Sequence, residues 1–384
     1  MRFVFVSTME GQAWGGSEQL WSQAALRLAT GGHAVTASMR KNEASEWHEA
    51  VTRLQAGGVA VLPRSDQYSL KNILIARLRA KWSALPEVDL ELRDLYRHTP
   101  DLVVISDGSN WPPRRFVMPC IERSFPYALV AQAAGEHAWP SDAMAEELHE
   151  LYSKSRAAYF VSRANLEVTK LHTGLAGDNF SVARNPFNVP YDAHPPAPDA
   201  SGAYCLAFVG RLDPAQKGCD LLLRVLAAPA WRQRDVVVNF YGSGGSDQFV
   251  RRMAADLGFT NVRFHGHVQD VVKIWTDNHI LVLPSRSEGL PLAIVEAMLC
   301  GRPCIVTDVA GNAELLQEGI TGFIAPAPTV ELLSQAMERA WASRGRWAEM
   351  GQAAADEVRK EVPADPAGVF AEELIRLAEQ VRSR

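Results

Sequence analysis

Glu288 and Glu296 stand eight residues apart in the stretch Ser285-Arg286-Ser287-Glu288-Gly289-Leu290-Pro291-Leu292-Ala293-Ile294-Val295-Glu296. The apolar run 279–283 before it ends at Pro284 and has the character of a buried parallel strand. The polar and glycine residues that follow open a helix, with Pro291 near the first turn, where a missing N–H costs nothing. Glu288 then lies in the loop and Glu296 about one and a half turns inside the helix, so both carboxylates can face one crevice. Backbone N–H groups unpaired at a helix start face the same side and favour an anion. Carboxylates hold hydroxyls and a helix start holds phosphate, which together suit a nucleotide sugar. Spacing alone leaves a plainer reading open, a helix with one capping and one solvated glutamate.

The elements around this stretch offer matching chemistry. Arg211 and Lys217 fall between a strand over 205–209 and a helix over 220–226, so a planar fork and a compact charge can meet neighbouring phosphates. Two loop cations are also commonly just solvated. Gly242 and Gly244 follow the run 236–240, and no Gly-Lys-Ser or Gly-Lys-Thr comes after them, so this is not a Walker loop. Gly15 and Gly16 follow the run 3–6, with Ser17 placed to cap a helix over 18–29. Full G-x-G-x-x-G spacing is absent there. Asp107 and Gln132 lie just past the apolar runs 102–105 and 128–131, His137 is five residues beyond Gln132, and Asn185 precedes Pro186. A lone histidine is as readily structural as functional.

From Glu288 to Glu296, then Ala297-Met298, Gly301-Arg302-Pro303 and Asp308-Val309-Ala310-Gly311-Asn312-Ala313-Glu314, the sequence resembles the EX7E signature of retaining GT-B glycosyltransferases, family GT4. The resemblance implies two Rossmann-like, doubly wound α/β domains facing across a cleft. It implies a diphosphate clamp at Arg211 and Lys217, sugar hydroxyls held by Glu288, and ribose hydroxyls held by Glu296. Amides near Gly289, Leu290 and Pro291 complete the donor site, with Gly242 and Gly244 lining the nucleotide pocket. Val262-Arg263-Phe264-His265-Gly266-His267-Val268 resembles the segment whose backbone, at His267 and Val268, pairs with the base edge. Gly15 and Gly16 match the loop that approaches donor phosphate and acceptor. Many members carry a histidine at the end of the fifth strand, where this chain has Gln132. His137 is then the candidate catalytic histidine, and Gln132, Asp107 and Asn185 are candidate acceptor contacts. The implied reaction moves a hexose from a nucleotide diphosphate sugar, with a UDP-sugar expected and GDP and ADP open, to a carbohydrate, lipid-linked or small-molecule acceptor. A GT-B nucleotide-sugar 2-epimerase and a non-catalytic sugar-nucleotide binder are the alternatives.

The remaining sequence sets the frame. The 384 residues suggest two domains, and 47% apolar with 22% charged residues is ordinary for an α/β protein. The expected division is 1–190, a linker at 191–202 rich in proline and alanine, 203–363, and a final helix over 364–384 crossing back to the first domain. A net charge of −5 gives no reason to expect nucleic acid. Five cysteines without a CxxC pair indicate neither a disulfide framework nor a zinc site. No Asp-x-Asp triplet occurs, so no metal ion and no cofactor are expected. The opening strand is too short for a signal-peptide core, and no apolar run reaches a membrane span, which together point to the cytoplasm. Residues 70–82 carry four cations and no anion, with apolar residues at helical spacing. That is the composition of an interfacial helix and of an ordinary basic surface helix alike, so peripheral contact with a membrane is one expectation.

Overall fold

The computed structural model describes residues 1–9, 14–64, 99–136, 138–198 and 202–383. The basic stretch 70–82 and His137 lie outside the described residues. Two compact units make up the chain. The first comprises Met1–Val161, Asn165–Pro186 and Asp365–Arg384, and the second Ser162–Ala164 with Phe187–Ala364.

Each unit is built on one parallel sheet. In the first, β1 (Arg2–Ser7), β2 (Ala34–Arg40), β3 (Ala60–Arg64), β4 (Leu102–Asp107), β5 (Tyr127–Ala131), β6 (Ala157–Phe160) and β7 (Phe180–Val182) lie in the order β3-β2-β1-β4-β5-β6-β7. Phe3 pairs with Val35 on one side and with Leu102 on the other, both in parallel register. Alternate residues of β1 face opposite layers. Phe3 and Phe5 pack with Leu20, Trp21 and Leu28, while Val4 and Val6 pack with Phe116, Tyr152 and Phe160. Helices on both faces explain why the central strands β1, β4, β5 and β6 are buried at nearly every position instead of alternating. The closing helix Pro366–Arg382 lies in the first layer, where Phe370, Leu374 and Ala378 are buried against Leu20 and Trp21. It starts cleanly, because Asp365 accepts a hydrogen bond from the Gly368 N–H at 3.0 Å and Pro366 takes the first helical position.

In the second unit, β8 (Tyr204–Val209), β9 (Val236–Tyr241), β10 (Val262–Gly266), β11 (Ile280–Leu283), β12 (Cys304–Thr307) and β13 (Gly322–Ala325) lie in the order β10-β9-β8-β11-β12-β13. Both sheets therefore have the doubly wound form, with strand order reversing at β1/β4 and at β8/β11. Such sheets bind ligands beyond the carboxyl ends of the strands at the reversal. The described residues 191–198 are tied into this unit. The Tyr191 hydroxyl donates to the Arg359 carbonyl at 2.9 Å and the Arg302 guanidinium to the Pro196 carbonyl at 2.7 Å.

Three local details differ from the sequence reading. The first helix begins at Gly16 with Gly15 at the cap position in extended backbone, so Ser17 sits inside the first turn, where its hydroxyl cannot cap. Strand β7 and the helix Trp347–Glu361 have no counterpart in it. Strand β7 is three residues long with one fully buried side chain, too short to show a period. Among the described residues no helix is long and apolar enough to cross a membrane.

Candidate active site

Four loops of the second unit meet at the β8/β11 reversal. The loop after β8 runs Gly210-Arg211-Leu212-Asp213 into a one-turn helix, Pro214–Lys217, capped by Asp213, whose carboxylate accepts the Ala215 N–H at 3.0 Å. Gly218 then turns the chain with φ 63° and starts the helix Cys219–Leu226. A Cβ at Gly218 would lie 1.9 Å from the Pro284 carbonyl oxygen, so the chain needs glycine here for its backbone angle and for close approach. This contact brings the β8 loop against the β11 loop. On the other side, Gly242 after β9 has φ 122°, and a Cβ there would lie 2.1 Å from the Gly210 carbonyl oxygen. The loop after β12 closes the group, with the Gly311 N–H donating to the Gly289 carbonyl at 2.9 Å.

Lys217 and Glu288 meet at the centre. The Lys217 ammonium donates to Glu288 Oε1 at 2.6 Å, and the Ser285 hydroxyl donates to the same oxygen at 2.7 Å. The Lys217 side chain is 18% exposed and the Glu288 side chain 8%, so this pair is much less screened than a surface one. Ser285 is itself positioned by Thr307, whose hydroxyl donates to the Ser285 carbonyl at 2.6 Å. Arg211 is exposed and donates to the Gln216 side chain within its own loop, so it does not join the Lys217–Glu288 pair directly.

Glu296 is the fifth residue of the helix Leu292–Leu299, for which Pro291 is the cap position, and it is buried. Its Oε1 accepts the Asn188 backbone N–H at 3.0 Å and the Asn188 side-chain amide at 2.8 Å. Burial raises its pKa, and the two hydrogen bonds oppose that shift. Gly289, Leu290 and Pro291 are buried between Glu288 and that helix. His267 is exposed and Val268 half-buried, directly after β10.

The expected residues of the first unit also lie at carboxyl strand ends. Gly15 and Gly16 open the helix Gly16–Thr30. Asp107, the last residue of β4, accepts from the Ser109 N–H and hydroxyl at 2.7 Å each and from the Thr8 hydroxyl. The Asn185 side-chain amide donates to Gln132 Oε1 at 2.8 Å, and both side chains are buried. Gln132 Nε2 and Asn185 Oδ1 have no hydrogen-bond partner.

Several site neighbours carried no signal in the sequence reading. Asn188, Ser285, Asp220 and Arg286 have partners set by tertiary contact, and a pairing such as Asn188 with Glu296, 108 residues apart, leaves no local trace. Glu18 is another. It is buried in the first turn of the helix Gly16–Thr30, accepting from the Ser7 hydroxyl at 3.0 Å and the Trp21 indole at 2.8 Å. Burial pushes its carboxyl up to about 7 against those two bonds and nearby Arg64, with Asp107 adding to the rise.

Residues 203–343 match the family described as Glycosyl transferases group 1, and they contain Arg211, Lys217, Glu288 and Glu296. The match lies within the second unit, and the chain has the two-sheet GT-B fold. HepE from Anabaena, solved in complex with UDP, superposes with a TM-score of 0.73 at 16% identity over 98% of this chain and all of that one. Sucrose-phosphate synthase from Thermosynechococcus elongatus superposes at 0.72 with 17% identity, covering 98% of each chain. In sequence, D-inositol 3-phosphate glycosyltransferases are similar. The one from Saccharomonospora viridis is 28% identical over 212 residues, 52% of this chain and 46% of that protein. The one from Streptomyces griseus is 30% identical over 217 residues, 51% and 44%. The chain thus spans a little under half the length of these curated relatives.

Proposed function

We propose that the protein is a retaining glycosyltransferase that moves a hexose from a UDP-sugar to an acceptor hydroxyl. The observation that carries this reading is the Lys217–Glu288 pair, 2.6 Å apart at the strand-order reversal of the second unit, where the family match lies. One group suits a phosphate and the other a sugar hydroxyl, so the pair marks the two ends of the bond to be broken. UDP as the nucleotide draws on the UDP and UDP-glucose complexes of the similarly folded HepE.

In this mechanism the bond from the anomeric carbon to the diphosphate oxygen breaks, and the acceptor oxygen bonds to the same carbon on the same face. The acceptor proton passes to the departing phosphate oxygen. Negative charge grows on the diphosphate, and Lys217, Arg211 and the backbone N–H groups at 289–290 stabilise it. Fixed donors of this kind act without reorganisation at the moment of reaction. Glu288 Oε2 accepts sugar hydroxyls while Oε1 stays on Lys217 and Ser285. Glu296 receives the ribose hydroxyls, with Asn188 holding its other oxygen. Two cations at the leaving group make a metal ion unnecessary. On the acceptor side, Gln132 and Asn185 offer one open donor and one open acceptor, and a ligand hydroxyl satisfies both. Asp107 adds an oriented carboxylate. The acceptor is a carbohydrate, lipid-linked or small polyhydroxyl molecule, reached in the cytoplasm.

Product analysis tests the proposal. UDP-glucose with a hydroxyl acceptor library should yield UDP and an α-linked glycoside, and addition of EDTA should leave the rate unchanged. Interconversion of the sugar nucleotide without acceptor would establish the epimerase instead. A rate lost in EDTA and restored by Mn2+ would remove the metal-free mechanism.

A further inference from the structure

In the mechanism above Glu288 Oε1 stays on Lys217 while the diphosphate also draws on the Lys217 ammonium, so the attraction between the two residues is shared with the ligand and a second contact is needed to hold the β8 and β11 loops at a fixed spacing. The structure contains one. Arg286 Nη1 lies 2.6 Å from Asp220 Oδ1 and Nη2 lies 2.9 Å from Oδ2, a two-pronged bond from the β11 loop to the helix that follows the β8 loop. Asp220 is in the first turn of the helix Cys219–Leu226, where the helix dipole favours a carboxylate and the backbone is rigid. The Arg286 N–H donates to the Gln216 carbonyl at 2.7 Å, directly beside Lys217. With side chains 30% and 16% exposed, the pair is neither fully buried nor freely hydrated.

We propose that Arg286 and Asp220 are positioning residues for the donor site, setting the spacing of Lys217 and Glu288 so that the site selects a nucleoside diphosphate over a monophosphate. This rests on the donor-site reading above. Arg286 is two residues before Glu288, and Asp220 three residues after Lys217, so any shift of the fork moves both ligand-facing groups. The base end of the nucleotide, at His267 and Val268, is built on another segment, and Glu296, in the helix that follows the β11 loop, takes its hydrogen bonds from Asn188 and none from the fork. A nucleoside monophosphate therefore binds without sensing it.

The test is calorimetric titration of the full chain with UDP and with UMP, for the parent, Arg286→Lys and Asp220→Asn. Lysine keeps the charge and loses the planar fork. Asparagine keeps the shape and loses the charge. Both variants should lose UDP affinity by roughly tenfold, the scale of one charge-assisted contact, with UMP affinity unchanged. Equal losses for UDP and UMP, or no loss for either in the milder Arg286→Lys, would overturn the proposal and leave a fork that serves folding alone. A parent chain that binds neither nucleotide would overturn the donor-site reading itself, and the inference with it.

Discussion

Glu288 carries two roles on two oxygens. Oε1 is occupied by Lys217 and Ser285, and Oε2 faces the sugar in the mechanism above. Glu288→Gln keeps the size and removes the charge, so turnover of a UDP-sugar should fall roughly 10²-fold, the scale of a lost transition-state contact. UDP, which has no sugar, should bind the variant about as well as the parent, and comparing kcat with the UDP Kd checks both statements. At Glu18 the prediction concerns pH. Its carboxyl titrates near 7 when folded against an ordinary 4.5, so between those values the folded chain binds more protons than the unfolded one. Its contribution to stability is therefore present below 4.5 and lost as pH rises through 7. Glu18→Gln cannot titrate, and its stability relative to the parent should rise by roughly 3 kcal/mol across that interval, read from denaturant unfolding at several pH values. The candidate residues Arg211, Lys217, Glu288 and Glu296 were legible in the sequence, since they stand in recognisable runs. Their bonding was not. Lys217 and Glu288 are 71 residues apart, and tertiary contacts such as the close approach of Gly218 to Pro284 bring them together.

Elements were legible where the chain is buried on both faces. Runs such as Ile280–Leu283 and Cys304–Thr307 are fully buried and, Thr307 apart, apolar, so the parallel sheets announced themselves. The helix Trp347–Glu361 did not, because alanine and glycine supply much of its buried face, at Gly351, Ala354 and Ala355, and these contrast weakly with the polar side. One loop carries a measurable cost. Ala310, in the run after β12, has φ 49°, a conformation that costs a residue with a Cβ about 1 kcal/mol. Ala310→Gly should raise unfolding stability by roughly 0.5–1 kcal/mol, seen as a higher denaturant midpoint with an unchanged slope. The closing helix makes the opposite point. Phe370 is 1% exposed and packs edge-on to Tyr159 with ring centroids 5.0 Å apart. Phe370→Ala should cost about 3–5 kcal/mol and unfold the first unit at lower temperature, although the residue is far from any proposed ligand.

At the scale of the whole molecule, two doubly wound units divide the work in the proposed function, the second taking the nucleotide and the first the acceptor. The donor half is the more legible, because phosphate and ribose demand the same few groups at the same strand ends. The acceptor half is less so, since hydroxyls are satisfied by amides and carboxylates that occur everywhere, and Gln132 with Asn185 stands out only once their unpaired atoms are placed. The proposed activity therefore depends first on the donor half. Its most direct test is calorimetric titration of UDP into the full chain and into Lys217→Met. The parent should bind at one site and the variant should lose about 10²-fold in affinity, because its apolar side chain leaves Glu288 without its cation beside the diphosphate. Equal UDP affinity in the two proteins would contradict the donor-site reading.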